Sequence, residues 1–598
     1  MRRLLRVLVG YGFAASGWWM GVTIALYMAT SLASVFYPVG IKVMVDAFLA
    51  HDRSGIVAGA ALVCGLYSLQ WVFSNNAATA GVRLSDRVNL HLSARIAVVL
   101  GSVAGIEHHE HPEYLKELDL LDENRPLLAN GPRQCIIVFS VLVRITGVVV
   151  LLGLVWWPLA LLPLVTVVPV AGERLSVWLR QRSDERLAEE RRLANELFDI
   201  AAGAGPAKEL RVYGLTPLLR ERHREAGARV AQGTVRASIA GGSIGAAGWL
   251  VFAAGFGAAV VAVAVRAAHH EASVGQVVLA VTLVQRAQFQ VAQAAGSVGQ
   301  LLTMTRTAGR LFWLEDYAEQ SRRAVASLAP VARPLPVPAR MAAGVTFRHV
   351  SFHYPGTRAD VLTDVNLQLP AGAAVALVGA NGAGKTTLVK LLTRMYEPSG
   401  GEILVDGVPL RSFDLAAWRS RTSAAFQDFL RPELRANQVV GIGDLDCLDD
   451  QEAVVKAVGQ GGADDVVAAL PEGLATPLGR SFADGQELSG GQWQKLALAR
   501  SMMREAPLLL VLDEPTASLD APTESAIFER YIGAVRRAGA ASGAITLLVS
   551  HRFSTVGLAD LIVVVDQGRI VEYGNHAQLV ARGGTYAELY ELQAASYR

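Results

Sequence analysis

Three cysteines in 598 residues, Cys64, Cys135 and Cys447, are too few and too scattered for a disulfide framework or a zinc site. Cys64 and Cys135 lie in apolar runs, where a free thiol packs as a small hydrophobe. Charge is scarce too: Asp, Glu, Lys and Arg make up 18% of the chain, against about 25% in an average soluble domain. The formal net charge of +2 leaves no basic footprint for a nucleic acid, so none is expected as a partner. No small-residue cleavage site follows the basic start Met1-Arg2-Arg3-Leu4-Leu5-Arg6, so the reading is an uncleaved cytoplasmic N-terminus and not a signal peptide. What the chain has in abundance is apolar surface. Hydrophobic residues reach 52%, and the mean hydropathy is +0.33. The excess falls before about residue 310, and a charge-rich half follows. A chain of this length holds more than one domain, and the first belongs in lipid.

The charge-rich half carries the chemistry. Val375-Ala376-Leu377-Val378 is a short apolar strand running into Gly379-Ala380-Asn381-Gly382-Ala383-Gly384-Lys385-Thr386, and residues 387–392 look helical. Strand, glycine-rich loop and helix are the context a phosphate loop requires. Glycines let backbone N–H groups approach phosphate oxygens, and the helix N-terminus adds partial positive charge. Lys385 is expected on the β and γ phosphates of ATP, and the Thr386 hydroxyl on Mg²⁺. A second apolar strand, 508–512, delivers Asp513 and Glu514 at its tip. Asp513 suits the second Mg²⁺ contact, and Glu514, one step beyond, can orient and polarise water. An acidic pair after a strand is common; behind a phosphate loop it is specific. In Glu487-Leu488-Ser489-Gly490-Gly491-Gln492-Trp493-Gln494-Lys495, the residues after Ser489 continue as a helix. Ser489 and the two glycines therefore sit at a helix start, whose N–H groups attract an anion.

A bilayer crossing needs about 20 mostly apolar residues. Clear candidates run over about 18–49, 55–77, 242–265 and 274–299. The tract 135–172 is broken by Trp156-Trp157-Pro158 and by itself suits either one tilted helix or two short spans. Parity decides. The ATP-binding half faces the cytoplasm, and the basic N-terminus predicts a cytoplasmic start, so an even number of crossings is needed. Two spans, 135–156 and 158–178, bring the total to six. Connections assigned outside are short (51–54, 156–157, 267–271), and those assigned inside, 83–133 and 179–236, are long and rich in arginine. Their mixed-sign runs suit solvated helices with i,i+4 pairs. Pro330, Pro334, Pro336 and Pro338 stand among alanines and arginines, so 324–340 reads as an extended linker. The expected division is a membrane domain over 1–315, a linker over 316–343 and a nucleotide-binding domain over 344–598.

With these motifs in this order, the chain resembles a half-transporter of the ATP-binding cassette exporter family over nearly its whole length. The resemblance implies an all-α six-helix exporter-type membrane domain followed by an α/β phosphate-loop domain of the cassette type. It implies that Tyr354 stacks on adenine and that Gln427 touches Mg²⁺ and couples the site to the membrane domain. It places Ser518-Leu519-Asp520 at a dimer seam and His551 at the γ-phosphate. Nucleotide contacts are then expected from Tyr354, Gly379, Asn381, Gly382, Gly384, Lys385, Thr386, Thr387, Gln427 and Asp520, and metal contacts from Thr386, Gln427 and Asp513. Lys385, Glu514 and His551 form the catalytic set. Ser489, Gly490, Gly491 and Gln492 would serve the site of a second half-transporter subunit, identical or not. Residues 111–116 and 207–214 resemble the short coupling helices of the family. Arg435-Ala436-Asn437 departs from the Arg-Glu-Asn of many relatives and puts only a local contact in doubt.

Polar residues inside a membrane default to a functional reading. Arg144 and the run Gln285, Arg286, Gln288, Gln290 and Gln293 qualify. Arg144, Gln285 and Arg286 are candidates for a cavity taking a polar, amphipathic or anionic cargo, a peptide or a lipid-like molecule. The competing reading is helix–helix glue, or a carboxylate paired with Arg286. No peptidase-like segment precedes the first span, so leader-peptide cleavage is not expected. The expectation is an ATP-driven exporter in a bacterial cytoplasmic membrane, surrounded by lipid. An importer on the same fold is one alternative. An ATP-gated channel or regulatory subunit is another, and the intact Glu514 and His551 count against it. Six spans and the lack of a long coiled coil exclude a soluble DNA-repair ATPase.

Overall fold

The computed structural model describes residues 2–165, 167–203, 205–328, 334–514, 542–550 and 552–596. They divide into two compact units, Met1–Val98 with Lys116–Leu314, and Val99–Leu115 with Glu315–Arg598.

The N-terminal part of the chain is helical: α1 (Arg2–Leu49), α2 (Arg53–Gly101), α3 (Glu107–Glu110), α4 (Pro112–Ala129), α5 (Gly131–Val155), α6 (Leu162–Val165), α7 (Val167–Arg186), α8 (Ala188–Ala202), α9 (Ala207–Val212), α10 (Thr216–Ala268) and α11 (Val274–Leu328). α1 is broken at Ser16, whose backbone leaves the helical region (φ −169°, ψ 97°). Its hydroxyl accepts a long 3.5 Å bond from Trp19 N–H, the job of a helix cap. The apolar segment thus starts as a new helix behind the basic one. Among the described residues, four helices are long and apolar enough to cross a membrane: α1 from Arg6, α2, α5 and α10. The fourth expected span, 158–178, is divided among a short turn at Trp157–Leu161, α6 and α7. The sixth, 274–299, lies within α11, where six Gln and Arg side chains lower its hydropathy.

Without a hydrophobic drive between apolar helices in lipid, close packing needs small residues. α10 meets α7 through Gly241 and Gly248. A Cβ on Gly248 would lie 2.8 Å from Pro169 Cα, and one on Gly241 would lie 2.3 Å from Ser176 Oγ. α1 meets α5 where Gly147 admits Val35 and where the Ser31 hydroxyl donates to Ser140 O at 3.3 Å.

Two expectations need correction. The 324–340 linker is not extended from its start, because α11 runs on to Leu328. Residues 324–328 are Ala-Val-Ala-Ser-Leu, with no proline to stop a helix until Pro330. The first short loop helix is α3 at 107–110, not 111–116. Pro112 suits the first position of a helix and opens the 18-residue α4 instead.

The second unit is built on two sheets. The smaller runs β2 (Leu362–Pro370), β1 (Gly344–Phe352), β4 (Gly400–Val405) and β5 (Val408–Pro409), all antiparallel. The larger has the order β10 (Arg569–Gly574), β9 (Leu561–Asp566), β3 (Ala374–Val378), β8 (Ile545–Val549), β7 (Leu509–Asp513) and β6 (Thr422–Ala425). It is parallel except for β10. β3, β7 and β8 are buried at every position, as unbroken apolar strands of a covered parallel sheet should be. α12 (Lys385–Leu392) follows β3, and α13 (Leu415–Ser420) precedes β6. A second core gathers α14 (Ala436–Gly441), α15 (Gln451–Gln460), α16 (Asp464–Ala468) and α17 (Gly490–Ser501) around Val439, Val454, Val466 and Leu496.

Trp418 of α13 is fully buried in the main core, and its Nε1–H donates to Leu392 O at 2.9 Å. Trp418→Ala should therefore cost about 3–5 kcal/mol, read as a lowered unfolding midpoint, and Trp418→Phe should keep most of that stability.

Candidate nucleotide site

In an open parallel sheet, ligands gather beyond the carboxyl ends of the strands. Beyond β3 comes the glycine loop, at the end of β7 stand Asp513 and Glu514, and two residues past β6 is Gln427. The loop leaves β3 through Gly379 at φ +154°, where a Cβ would lie 2.1 Å from Val565 O. No other residue fits there. Gly384, at φ +106°, opens α12. Asn381, Gly382 and Thr386 are exposed, and Thr387 is buried. Lys385 folds back over the loop, its Nζ donating to Gly379 O and Ala380 O at 2.8 Å each. Burial lowers its pKa from the ordinary lysine value, against the charges of Glu514 and Asp513. This buried cation, bonded to two loop carbonyls, lies in a glycine cradle that fits a triphosphate.

Asp513 is 5% exposed. Burial first, then the nearby Glu514 and Asp428 charges, push its pKa up to about 6. A divalent cation would relieve that crowding. Among the described residues no group of three His, Cys, Asp or Glu side chains could hold a metal ion. A magnesium ion here would need phosphate oxygens beside Asp513, which is the usual way that metal is held.

Glu514 sits at φ +48°, a left-handed backbone that costs roughly 1–3 kcal/mol outside glycine. Three bonds fix it. Its N–H donates to Val549 O at 2.9 Å, its carbonyl accepts from Gln494 Nε2 at 3.3 Å, and its Oε2 accepts from Gln427 Nε2 at 2.8 Å. The sequence pointed to Gln427 and Glu514 separately; here they are in contact. Gln494 was not foreseen. The available signal was a polar residue on the buried face of α17, where it is 5% exposed.

Ser489 caps α17, and the start is closed reciprocally. Ser489 Oγ accepts from Gln492 N–H at 3.3 Å, and Gln492 Oε1 accepts from Ser489 N–H at 2.9 Å. Gln492, expected as a nucleotide contact, thus has its side-chain oxygen occupied in the cap. Ser489 and Gly490 are exposed. The Tyr354 ring is held edge-on by Phe352 and Tyr396, with ring centroids 5.0 and 5.4 Å away, and its hydroxyl meets Thr387 Oγ1 at 3.1 Å. Asp520 and His551 lie outside the described residues.

In the membrane unit, Arg144 Nη2 donates to Gln293 Oε1 at 3.0 Å. Arg286 Nη1 donates to Ser34 O at 2.7 Å and to Ser34 Oγ at 2.8 Å, and its guanidinium stacks 4.6 Å from the Tyr37 ring centroid. Gln293 and Arg286 lie about two turns apart on α11, so both arginines are anchored on that helix. Among the described residues neither pairs with a carboxylate, so the expectation of a carboxylate for Arg286 is not met. Gln285 stands apart, exposed on α11. Gln290 instead points inward, 3% exposed, with its Oε1 buried and unbonded.

Residues 362–517 match a family model described as ABC transporter. Over 466 residues the chain is 30% identical to the ATP-dependent lipid A-core flippase of Bordetella avium strain 197N, covering 77% of this chain and 74% of that protein. A flippase of the same name from Pseudomonas fluorescens is 44% identical over 246 residues, 41% of this chain and 39% of the relative. A bacterial Atm1-family ABC exporter solved with ATP bound shares the fold at TM-score 0.71 and 22% identity, covering 96% of this chain and 97% of that one.

Asp513 yields a test with a definite sign. Its folded pKa of about 6 lies above the ordinary 3.8. Below pH 3.8 the acid is neutral in folded and unfolded chains alike. Between 3.8 and 6 the unfolded chain loses its proton first, so stability falls as pH rises, and above 6 the penalty is complete. In nucleotide-free and metal-free protein, Asp513→Asn should stabilise by on the order of 3 kcal/mol at pH 7.5 and have no effect near pH 3.5, as read from thermal unfolding.

Proposed function

Since the chain belongs to the ATP-binding cassette exporter family, as a half-transporter with its membrane domain fused to one nucleotide-binding domain, we propose that it works as a dimer exporting an anionic, lipid-like amphiphile. It is a multi-pass membrane protein whose cytoplasmic domain binds ATP and hydrolyses it to drive transport. The cargo class rests on one observation: among the described residues, the two guanidinium groups in the membrane unit have only neutral partners, Gln293, Ser140, Ser34 and Tyr37. An unpaired charge in that setting is expensive, and a phosphate or carboxylate headgroup between Arg144 and Arg286 would offset the cost. The names of the flippases it resembles support a lipid over a peptide, and such bacterial relatives suit the inner membrane as its location.

We assign the roles as the motif chemistry and the family resemblance imply them. Tyr354 carries the adenine. Gly379, Asn381, Gly382, Gly384, Thr386 and Thr387 surround the phosphates, and Lys385 leaves its loop carbonyls for the β and γ oxygens. Thr386, Gln427 and Asp513 would hold Mg²⁺, which neutralises charge developing on the phosphates. Glu514, aimed by Gln427 and by its fixed backbone, orients the attacking water. His551 contacts the γ-phosphate. Ser489, Gly490 and Gly491 at the exposed start of α17, with Asp520, serve the site of the second subunit. The cap bond of Gln492 keeps that helix start in shape.

Glu514→Gln should retain ATP binding and lose steady-state turnover by about 10²-fold or more; near-normal hydrolysis would contradict its role. Ser489→Arg should abolish turnover if the α17 start faces a nucleotide across the dimer, and wild-type rates would contradict the shared site. Charge-assisted contacts contribute about 1.5–3 kcal/mol each, so Arg144→Leu with Arg286→Leu should weaken stimulation of ATPase by an anionic lipid by roughly tenfold or more. Undiminished stimulation would contradict the cargo site.

A further inference from the structure

The second unit contains a polar cluster that the roles above leave unused. Lys390, in the last turn of α12, places its ammonium 5.2 Å from the Tyr354 ring centroid and 5.9 Å from that of Tyr396. It is held there by Glu110 of α3, whose Oε1 lies 2.6 Å from Lys390 Nζ. The other oxygen of Glu110 accepts from the Tyr396 hydroxyl at 2.7 Å. Lys390 also reaches the Tyr354 hydroxyl at 3.5 Å. One carboxylate therefore fixes both the cation and the second aromatic ring that brace Tyr354.

A cavity of about 440 Å³ opens beside this cluster, lined by Glu107, Glu110, His111, Tyr354, Gly356 and Tyr396 among others. Its volume falls in the range of small-ligand sites, about 300–1,000 Å³. Two carboxylates on one wall disfavour a phosphate, and the tyrosine rings favour a flat, uncharged ring.

We propose that Lys390, clamped by Glu110, is a positioning residue for the nucleotide base: it holds Tyr354 in place, and α3 forms the outer wall against which the base docks. This rests on the reading of Tyr354 as the base platform. With Glu110 removed, the part-buried ammonium loses its anion and turns toward water, and Tyr354 loses its brace. Linkage works in both directions. If docked α3 strengthens base binding, base binding holds α3 by the same factor. ATP would thus be sensed by the chain ahead of α4 through its base, separately from its phosphates.

Inorganic tripolyphosphate, which has phosphates and no base, separates the two routes. Binding of ATP and of tripolyphosphate to the full-length protein in detergent is measured without Mg²⁺. Given the usual strength of cation–π contacts, Glu110→Gln and Lys390→Met should each weaken ATP by about 3- to 10-fold and leave tripolyphosphate unaltered. Lys390→Arg, which keeps a cation for Glu110 and for the two rings, should keep most of the ATP affinity. ATP should slow amide exchange over Glu107–Glu110, and tripolyphosphate should not. Equal weakening of both ligands, or equal slowing of exchange by both, would overturn the proposal. ATP affinity unchanged in both single variants but lost in Tyr354→Ala would overturn the positioning role and leave the platform standing. Unchanged ATP affinity in Tyr354→Ala would remove the platform reading, and this proposal with it.

Discussion

The charge of a triphosphate has to be met by groups that a folded chain can hold still, and in this protein that constraint falls on the ends of three adjacent strands. The order β3-β8-β7 in one parallel sheet puts the glycine loop and the Asp513–Glu514 pair at one edge. Each strand is buried throughout, so its end is fixed by the core and not by the ligand. Glu514 shows what that rigidity makes possible. Its left-handed backbone would relax in a loose loop, but the bonds to Val549, Gln494 and Gln427 hold it. Through Gln494, α17 is tied to the same residue, so a disturbance at the start of α17 has a short path to the Glu514 carboxylate.

The parts legible in the sequence are those where sterics or burial leave one solution. Gly379 is readable because any side chain would strike Val565 O. Asp513 is readable because five apolar residues in a row deliver it. Features set by tertiary contacts were not readable: the backbone of Glu514, the inward turn of Gln494, and the brace that Glu110 supplies to residues more than 240 positions later. The polar run on α11 could not be sorted into inward and outward residues from the sequence, for a geometric reason. Residues 285, 286, 288, 290 and 293 span more than one helix face. Only the packing of Leu283, Val284, Ala287 and Gln290 decides which side is inward, and Gln285 falls on the other. The short loop helix was displaced because Pro112 starts a helix better than it continues one.

The membrane unit obeys a different economy. Its helices meet through glycines and serine hydroxyls, and among the described residues its two guanidinium groups have only neutral oxygens and an aromatic face as partners. Bonds of that kind stabilise a charge less than a carboxylate would. They are also easier to exchange, as the headgroup site proposed above would need in order to bind and then release its cargo.

The central claim is that ATP hydrolysis at Glu514 moves an anionic amphiphile from one leaflet to the other. The direct measurement reconstitutes the protein in sealed vesicles, with its nucleotide-binding domains outward, and follows a fluorescent anionic lipid beside a zwitterionic one. The account predicts ATP-dependent loss of the anionic label from the outer leaflet in the wild type, none in Glu514→Gln, and little movement of the zwitterionic label. ATP consumption at full rate with no movement of the anionic label, or equal movement of both labels in Glu514→Gln, would contradict it.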